Sequence, residues 1–323
     1  PTNMQMLYTP PGQDKDIPEE LDDDSKSLAD LGVVSGGTIV IDDLGSALLE
    51  CEGNEEVPEC VTCSEEPASC AEFEAIEREA GSDAEFTYTP WDREEAGNDD
   101  PGGGVQGLMK GKVFEKVGVN VSTVHGNFSP DFAATIHGAD ESPRFSATGI
   151  SLVAHMANPH VPAVHMNTRF LVTGKAWFGG GADLNPPIPY EDDTQEFHAA
   201  FRAACAKHNP TYYERFSKWA DDYFYIPHRG VHRGVGGIFY DHLECEDETG
   251  FDRNLAFTQD VGEAFLDIYP KLVRRRMEQE FTPADKAQQL EWRGRYAEFN
   301  LVYDRGTLFG LKTGGNIDAI LMS

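Results

Sequence analysis

The chain has little positive charge and no long apolar run. Lys and Arg number 26 against 56 Asp and Glu, which gives a net charge of −30. Nucleic acid and anionic membranes would repel such a surface, so neither is an expected partner. No apolar stretch approaches the roughly 18 to 20 residues that span a bilayer, and the N-terminus lacks a signal or transit pattern. We expect no integral membrane association and a cytoplasmic location, with an organelle after leader removal as the alternative.

Cysteine is also scarce, with six residues in 323. Cys60 and Cys63 form a CxxC pair with Cys51 and Cys70 nearby, but the surrounding Glu, Pro and Ser residues show no regular ligand spacing. The sequence therefore favours reduced thiols over disulfides or a zinc site.

The acidic residues are concentrated near the N-terminus. Residues 1–100 carry 28 acidic and four basic side chains, whereas the remainder carries 28 and 22, and all ten histidines follow position 124. This distribution predicts an acidic extension at residues 1–64 before a second domain at residues 65–323. Within residues 1–44, a Ser-Gly-Gly turn and the alternating Thr38–Asp42 segment resemble part of a ubiquitin-like fold, followed by a linker.

Periodicity in the second domain predicts a mixture of strands and helices. Strands are predicted at 113–124, 148–154, 163–173, 296–303, 308–311 and 317–322, and helices at 194–208, 211–223 and 255–280. Several of these strands are joined by tight turns, which favour antiparallel pairing. We therefore expect an α+β fold with an antiparallel sheet.

Three polar side chains share one face of the strand at 163–173. His165, Asn167 and Arg169 alternate with apolar residues, and the period of two places them together. Ser151 and His155 have the same parity on the preceding strand. A solvated face is the alternative, but His, Asn and Arg are less typical of one, so a site is predicted here.

Two further segments are rich in functional residue types. Gly179 to Gly181 predict a loop that delivers Asp183, although the Lys and Ser/Thr of a phosphate loop are missing and a capped turn is the alternative. The segment at 228–233 contains two arginines and two histidines, which suit an anionic ligand through the planar guanidinium fork. A surface ion-pair network is the alternative for that segment.

Six segments together resemble the oxygen-dependent coproporphyrinogen III oxidases, in the order of that family and across residues 84–323. They are Phe114–Ser122, Thr148–His155, Asn158–Arg169, Gly179–Asp183, Asp221–Gly237 and Glu298–Gly310. The resemblance implies a large flat antiparallel sheet flanked by helices on both sides, and a homodimer. It also implies oxidative decarboxylation of two propionates of coproporphyrinogen III to vinyl groups, with dioxygen as oxidant and protoporphyrinogen IX as product.

The resemblance also implies roles for individual residues. His165 would be a proton donor, Asp183 would contact the pyrrole nitrogens, and Arg169 would complete the catalytic group. Substrate contacts are implied for Ser151, Asn167, Thr168, Arg169, Gly314 and Gly315. Bacterial relatives imply metal-ligand histidines that correspond to His155, His165, His198 and His228.

The chemistry of the substrate adds further expectations. Four propionates require cations, for which Arg169, Arg229, Arg233 and Arg305 are candidates, while Trp177, Phe224 and Tyr225 could supply apolar surface. Asn316 would also lie at the substrate, at a position where many relatives carry Arg. The chain ends at Ser323 inside a motif that relatives continue, so a C-terminally truncated domain is expected.

A reaction without a required cofactor is favoured, with dioxygen as co-substrate and a divalent metal as the alternative. Two other functions stay open at this point. One is a His-ligated metal oxygenase that acts on another substrate. The other is an inactive or decayed oxidase domain that binds partners.

Overall fold

The computed structural model describes residues 68–93, 101–139, 143–245, 248–312 and 315–322. It also gives the backbone of three short strands, β1 Met6–Thr9, β2 Glu19–Glu20 and β3 Thr38–Ile41, which pair antiparallel in the order β2-β1-β3. The strand predicted at Thr38–Asp42 is thus present as β3. The rest of the ubiquitin-like prediction lies outside the described residues, as do Cys51, Cys60, Cys63 and Gly314.

The remaining elements form one large sheet and its covering helices. In chain order they are α1 Ala68–Glu79, β4 Thr87–Asp92, β5 Gly102–Met109, β6 Phe114–Asn127, α2 Pro130–Ala133, β7 Arg144–Met156, β8 Ala163–Val172, β9 Ala176–Asn185, α3 Glu191–His208, α4 Tyr212–Tyr223, β10 Tyr225–Ile226, β11 Val231–His232, β12 Gly237–Glu244, α5 Glu248–Arg276, α6 Pro283–Val302, α7 Arg305–Lys312 and α8 Ile317–Ile320. Seven strands pair in the order β12-β9-β8-β7-β6-β5-β4, every neighbour antiparallel. The predicted α+β class with an antiparallel sheet is confirmed.

Helices cover both faces of this sheet. Val164, Met166 and Phe170 of β8 join the main apolar core, which also contains buried residues of α1, α3, α4 and α5. On the opposite face, Tyr296 of α6 packs with Val153 of β7 and with Met322. The polar residues of β8 therefore face the layer formed by α6, α7 and α8. No helix among the described residues is long and apolar enough to cross a membrane.

The three strands predicted in the last third of the domain are wrong, because these segments are helical. The segment at 296–303 lies at the end of α6, which begins with a capping box between Thr282 and Asp285. Segments 308–311 and 317–322 belong to α7 and α8. Apolar windows of four to eight residues do not distinguish the period of a strand from that of a helix, and aromatic residues biased the prediction toward strands.

The glycine loop predicted at 179–181 is also wrong, because these residues lie in the middle of β9. A Cβ atom at Gly179 would lie 2.7 Å from Asp241 Oδ1 and 2.9 Å from Arg169 Nε. The missing side chain lets these two charged groups meet directly above the strand. Close approach, rather than turn formation, accounts for glycine at this position.

One buried carboxylate joins α1 to the hairpin between β5 and β6. Glu77 is 0% exposed. It accepts hydrogen bonds from the backbone N–H groups of Lys112, Val113 and Phe114 at 2.8, 2.9 and 2.8 Å. The carboxyl oxygens of Glu77 are thereby paired with three backbone N–H groups, which hold the turn against the helix.

Candidate active site

A cavity of about 580 Å³ lies between the polar face of the sheet and the layer of α6, α7 and α8. The register pairs Ser151 with Asn167 and Val153 with His165, so β7 and β8 present adjacent side chains to it. The predicted site residues that line it are Ser151, His165, Asn167, Thr168, Arg169, Arg233, Gly315 and Asn316. Residues from distant segments of the chain therefore line one cavity.

Asp183 lies behind the cavity wall and is 1% exposed. Its Oδ1 accepts from His165 Nδ1 at 3.1 Å and from Arg233 Nη2 at 2.7 Å, and its Oδ2 accepts from Arg233 Nε and Asn185 Nδ2, both at 2.9 Å. Burial raises the pKa of Asp183, but the charge of Arg233 and the hydrogen bonds from His165 and Arg233 outweigh this and hold the pKa well below its usual range. The carboxylate is ionised, and its acceptor positions are occupied.

In this arrangement Asp183 is directed at protein groups, and its predicted contact with the pyrrole nitrogens stays a prediction. A carboxylate with four protein hydrogen bonds and a lowered pKa is a weak base and has no free lone pair directed at the cavity. The hydrogen bond of Asp183 to His165 Nδ1 fixes the orientation of that ring. Because the carboxylate is ionised, Nδ1 of His165 carries the proton that it donates, and Nε2 has no protein hydrogen-bond partner among the described residues.

Arg233 is buried beside Asp183 rather than displayed to an anionic ligand. Its Nη1 donates to Asn300 Oδ1 at 2.9 Å, and its guanidinium lies 4.2 Å from the ring centroid of Phe224 and 4.6 Å from that of Tyr296. Burial lowers the pKa of Arg233, but the charge and hydrogen bonds of Asp183, together with Tyr296 and Asp304, outweigh this and raise it, so the pair stays ionised. Arg233 lines the cavity mainly as the support of Asp183.

Arg169 forms a second ion pair on the cavity wall. Its Nη2 lies 2.8 Å from Asp241 Oδ2, and Trp177 Nε1 donates to Asp241 Oδ1 at 3.2 Å. Burial raises the pKa of Asp241, but the charges of Arg169 and His242 and the hydrogen bonds from both residues together outweigh this and lower it, so this pair is also ionised. Asp241 was missed in the sequence because it lies in the irregularity of β12 between Tyr240 and Leu243, where the alternation is interrupted.

Ser151 and Asn167 line the cavity, and their side-chain polar atoms make no hydrogen bond to other described residues. Thr168, between Asn167 and Arg169, has the opposite parity, and its side chain is buried with Oγ1 unpaired. A substrate contact by Thr168 could therefore involve only its backbone. Asn316 lines the cavity while its Oδ1 accepts from Ala319 N at 2.9 Å and caps α8.

A profile of the family described as coproporphyrinogen III oxidase matches residues 61–323. The chain belongs to this family. It is 53% identical over 259 residues to the oxygen-dependent coproporphyrinogen-III oxidase of Rickettsia akari (strain Hartford), covering 79% of this chain and 90% of that protein. The oxygen-dependent coproporphyrinogen-III oxidase of Rickettsia bellii (strain RML369-C) is 54% identical over the same share of both chains.

The histidines expected to bind a metal in bacterial members of the family lie in separate surroundings. His198 is bonded through Nδ1 to Tyr213 Oη at 2.8 Å and through Nε2 to the Val235 carbonyl at 2.9 Å. His228 lies at the surface, bonded to Tyr303 and Glu298. Both ring nitrogens of each are occupied, so neither is available as a ligand in this arrangement.

The other two histidines do not form a metal site either. His155 is buried, and burial together with the nearby charges of Arg293, Lys116 and Arg233 lowers its pKa to about 3. His165 is committed through Nδ1 to Asp183. Groups of three or more His, Cys, Asp or Glu residues suited to a metal ion are absent from the part of the chain that the structure describes. The residues present therefore do not fit the predicted four-histidine centre.

Several other sequence expectations need adjustment in this family member. Arg229 pairs with Glu298 outside the cavity, so it is not placed to neutralise substrate. The side of the cavity opposite the sheet includes Tyr296, Asn300 and Asp304. No site role was predicted for these three residues from the sequence. Tyr296 and Asn300 are four residues apart on α6, the spacing of one helix face and the signal that could have identified them, and Asp304 follows the end of this helix.

Proposed function

We propose that the protein is an oxygen-dependent coproporphyrinogen III oxidase of porphyrin and haem biosynthesis. It converts two propionates of coproporphyrinogen III to vinyl groups and releases protoporphyrinogen IX. The observation that carries this conclusion is the cavity above β7 and β8, in which the polar residues of the family's motifs meet. For each propionate, the bond to the carboxylate carbon breaks, CO₂ leaves, and the electron pair of that bond forms the new double bond. The β-carbon loses one hydrogen together with two electrons. Dioxygen takes up these two electrons and two protons, one from that hydrogen and one from solvent, to give hydrogen peroxide.

Several groups are suited to holding this substrate. Ser151 and Asn167 offer hydrogen-bonding atoms from adjacent strands, and Trp177 and Phe239 give the macrocycle apolar surface on the cavity wall. Arg169 can share its guanidinium between Asp241 and a propionate, because a guanidinium has five N–H donors in a fixed plane. Gly315 and Asn316 would close the cavity from the side of α8.

We assign proton transfer to His165. Its Nδ1 is held by Asp183, which leaves Nε2 to exchange a proton with the substrate as the propionate loses CO₂. Asp183 and Arg233 act behind it as positioning residues. No step requires a metal ligand from the four histidines, so we propose that dioxygen is the co-substrate and that no other cofactor is needed.

The activity can be tested directly with coproporphyrinogen III in air. The expected result is stepwise appearance of a monovinyl and then a divinyl product, with none in an anaerobic sample. An enzyme stripped by exhaustive chelation should retain this turnover. Absence of vinyl products in air would reject the function, whereas loss of turnover that one metal ion restores would reject only the cofactor-free reaction.

The division of the chain into an accessory segment and a catalytic domain is part of the same proposal. Residues 65–323 would form the catalytic domain and the acidic residues 1–64 an accessory segment in front of it. Deletion of residues 1–64 should leave kcat/KM for coproporphyrinogen III unchanged, and a lost activity would overturn this division. We also propose a cytoplasmic location, since four carboxylates keep the substrate in water; cell fractionation would test it.

A homodimer is the proposed assembly. Helices α6, α7 and α8 carry exposed apolar side chains that do not line the cavity, namely Leu301, Val302, Leu311 and Ile317. Exposed apolar groups of this kind are typical of protein interfaces. A second copy of the chain that packs here would cover the helices that close the cavity.

A further inference from the structure

Two of the arginines on the cavity wall already have carboxylate partners. Arg169 pairs with Asp241 at 2.8 Å, and Arg233 pairs with Asp183 at 2.7 Å. Each pair is close to neutral as a unit. Lys312, at the end of α7, also lines the cavity but has no carboxylate within ion-pair distance among the described residues. Its charge is therefore available to a ligand.

The ammonium group of Lys312 is held at the aromatic end of the cavity. Its Nζ lies 5.1 Å from the ring centroid of Phe132, within the range of a cation–π contact. Phe132 packs against Phe309, and both rings line the cavity. A cation over an apolar wall, with no competing protein anion, is suited to a ligand that is apolar in its body and carboxylated at its rim.

Lys312 and His165 lie toward opposite ends of the cavity. Phe132 belongs to the same aromatic cluster as Phe145, near the start of β7. His165 is paired with Val153, eight residues farther along that strand, so the two groups lie near different parts of β7. A carboxylate that contacts Lys312 is thus well separated from a propionate that reacts at His165.

We propose that Lys312 binds a propionate that is not decarboxylated and thereby anchors the far side of the macrocycle. This inference rests on the proposed function, in which two of the four propionates react and two are retained. The retained carboxylates must still be stabilised inside the cavity, because transfer of a carboxylate from water without a partner is costly. Lys312 supplies that partner at the end of the cavity away from the chemistry.

The test compares Lys312→Met, which removes the charge, with Lys312→Arg, which keeps it. Lys218→Met is the matched control, because Lys218 lies on the exposed surface of α4 and pairs with Asp222. Lys312→Met should raise KM for coproporphyrinogen III about 3- to 10-fold, as expected for one partly exposed charge-assisted contact. Its kcat should stay within about 2-fold, because the contact is the same in the ground and transition states.

The monovinyl tripropionate intermediate, supplied as substrate, distinguishes which propionate is bound. A retained carboxylate is present in both substrates, so Lys312→Met should raise KM by the same factor for each. Lys312→Arg and Lys218→Met should leave both KM values near those of the wild type. A rise confined to the tetrapropionate substrate would overturn the proposal, because Lys312 would then bind a reacting group.

Equilibrium binding gives a readout that does not depend on turnover. Coproporphyrin III, the oxidised and unreactive tetracarboxylate, is titrated by fluorescence against the wild type and the three variants at low and high salt. At low salt, Lys312→Met should raise the Kd of coproporphyrin III by about the same factor as it raises KM. High salt should reduce the difference in Kd between this variant and the wild type. An unchanged Kd and KM in Lys312→Met would overturn the inference, whereas a wild type that binds this porphyrin but forms no vinyl product would reject the proposed function alone.

Discussion

At the scale of single residues, the buried pair of Asp183 and Arg233 determines how His165 is presented. Each charge is stabilised by the other, and the carboxylate retains one further contact to the imidazole. A buried ion pair of this kind contributes little net stability, but loss of one partner leaves an uncompensated charge in the interior. The same pair can therefore be tested through stability and through catalysis.

Asp183→Asn should be destabilising and should also lower kcat. Arg233 would be left buried without its counter-ion, at a cost of about 3–5 kcal/mol in the free energy of unfolding. The amide would also disturb the orientation of His165, with an expected fall in kcat on the order of 100-fold. Urea denaturation and turnover of coproporphyrinogen III measure the two effects.

The double variant Asp183→Asn with Arg233→Met separates these effects. Removal of both charges should recover part of the lost stability but not the lost kcat. If the single variant Asp183→Asn has the kcat of the wild type, Asp183 does not position His165.

His155 makes stability depend on pH, because its pKa is lowered from 6.5 to about 3 in the folded protein, chiefly by burial. The unfolded chain takes up a proton below pH 6.5, whereas the folded protein does not, so acid favours unfolding. The free energy of unfolding should fall by about 1.4 kcal/mol per pH unit from below pH 6.5 toward pH 4 through this residue. Asp183 adds a similar loss only below its own unfolded pKa of 3.8.

Denaturation of the wild type and His155→Gln at pH 7.5, 6 and 5 checks this dependence. Glutamine does not titrate, so the variant should lose less stability between pH 6 and pH 5. Equal slopes for the two proteins would contradict a neutral buried imidazole at position 155.

At the scale of elements, α1 is attached to the sheet through one carboxylate rather than through apolar packing alone. Glu77 accepts three backbone hydrogen bonds from the turn between β5 and β6. A Cβ at Gly111 would lie 2.3 Å from the Glu77 carboxyl carbon, so the turn approaches the helix too closely for a larger residue. The hydrogen bonds of Glu77 and the absence of a side chain at Gly111 together allow the hairpin to pack directly against α1.

Glu77→Ala should lower the free energy of unfolding by about 2–4 kcal/mol, because buried N–H groups lose a charged acceptor. Urea denaturation measures the loss. Glu79→Ala, on the same helix, removes a surface ion pair with Arg274 and should cost much less. Equal effects of the two substitutions would show that the buried contact has no special role.

At the scale of the whole molecule, the layer of α6, α7 and α8 has two functions in this proposal. Its inner side closes the cavity with Tyr296, Asn300 and Asp304, and its outer side exposes apolar residues. Association through the outer side would stabilise the layer and with it the cavity.

Leu301→Arg should therefore dissociate the homodimer, because it places a charge on the proposed interface at a residue that is 60% exposed in the single chain. Analytical ultracentrifugation across a range of protein concentrations measures the shift from dimer to monomer. Phe281→Arg is the matched control, since Phe281 is exposed outside this group. Dimers that survive Leu301→Arg, or that dissociate equally in both variants, would contradict the proposed surface.

Local pattern predicted much of the domain but not the pairing within its site. The alternation on β8 correctly separated His165, Asn167 and Arg169 from the apolar face, since side chains of a strand alternate whatever lies above it. Helices α3 and α4 were also found, because each is long enough to show its period. The short segments at 308–311 and 317–322 were predicted wrongly, as they are too brief to reveal a period.

The sequence by itself determined the family, the main strands and the side chains that face the cavity. Only the tertiary structure decided which charges neutralise one another. Asp183 meets Arg233 from 50 residues away, and Arg169 on β8 meets Asp241 on β12 across β9. Such pairings depend on how distant segments pack, and packing, unlike strand period, is not encoded within any local window of residues. For that reason Lys312, a cavity cation with no carboxylate partner among the described residues, became apparent only once Arg169 and Arg233 were seen to be paired.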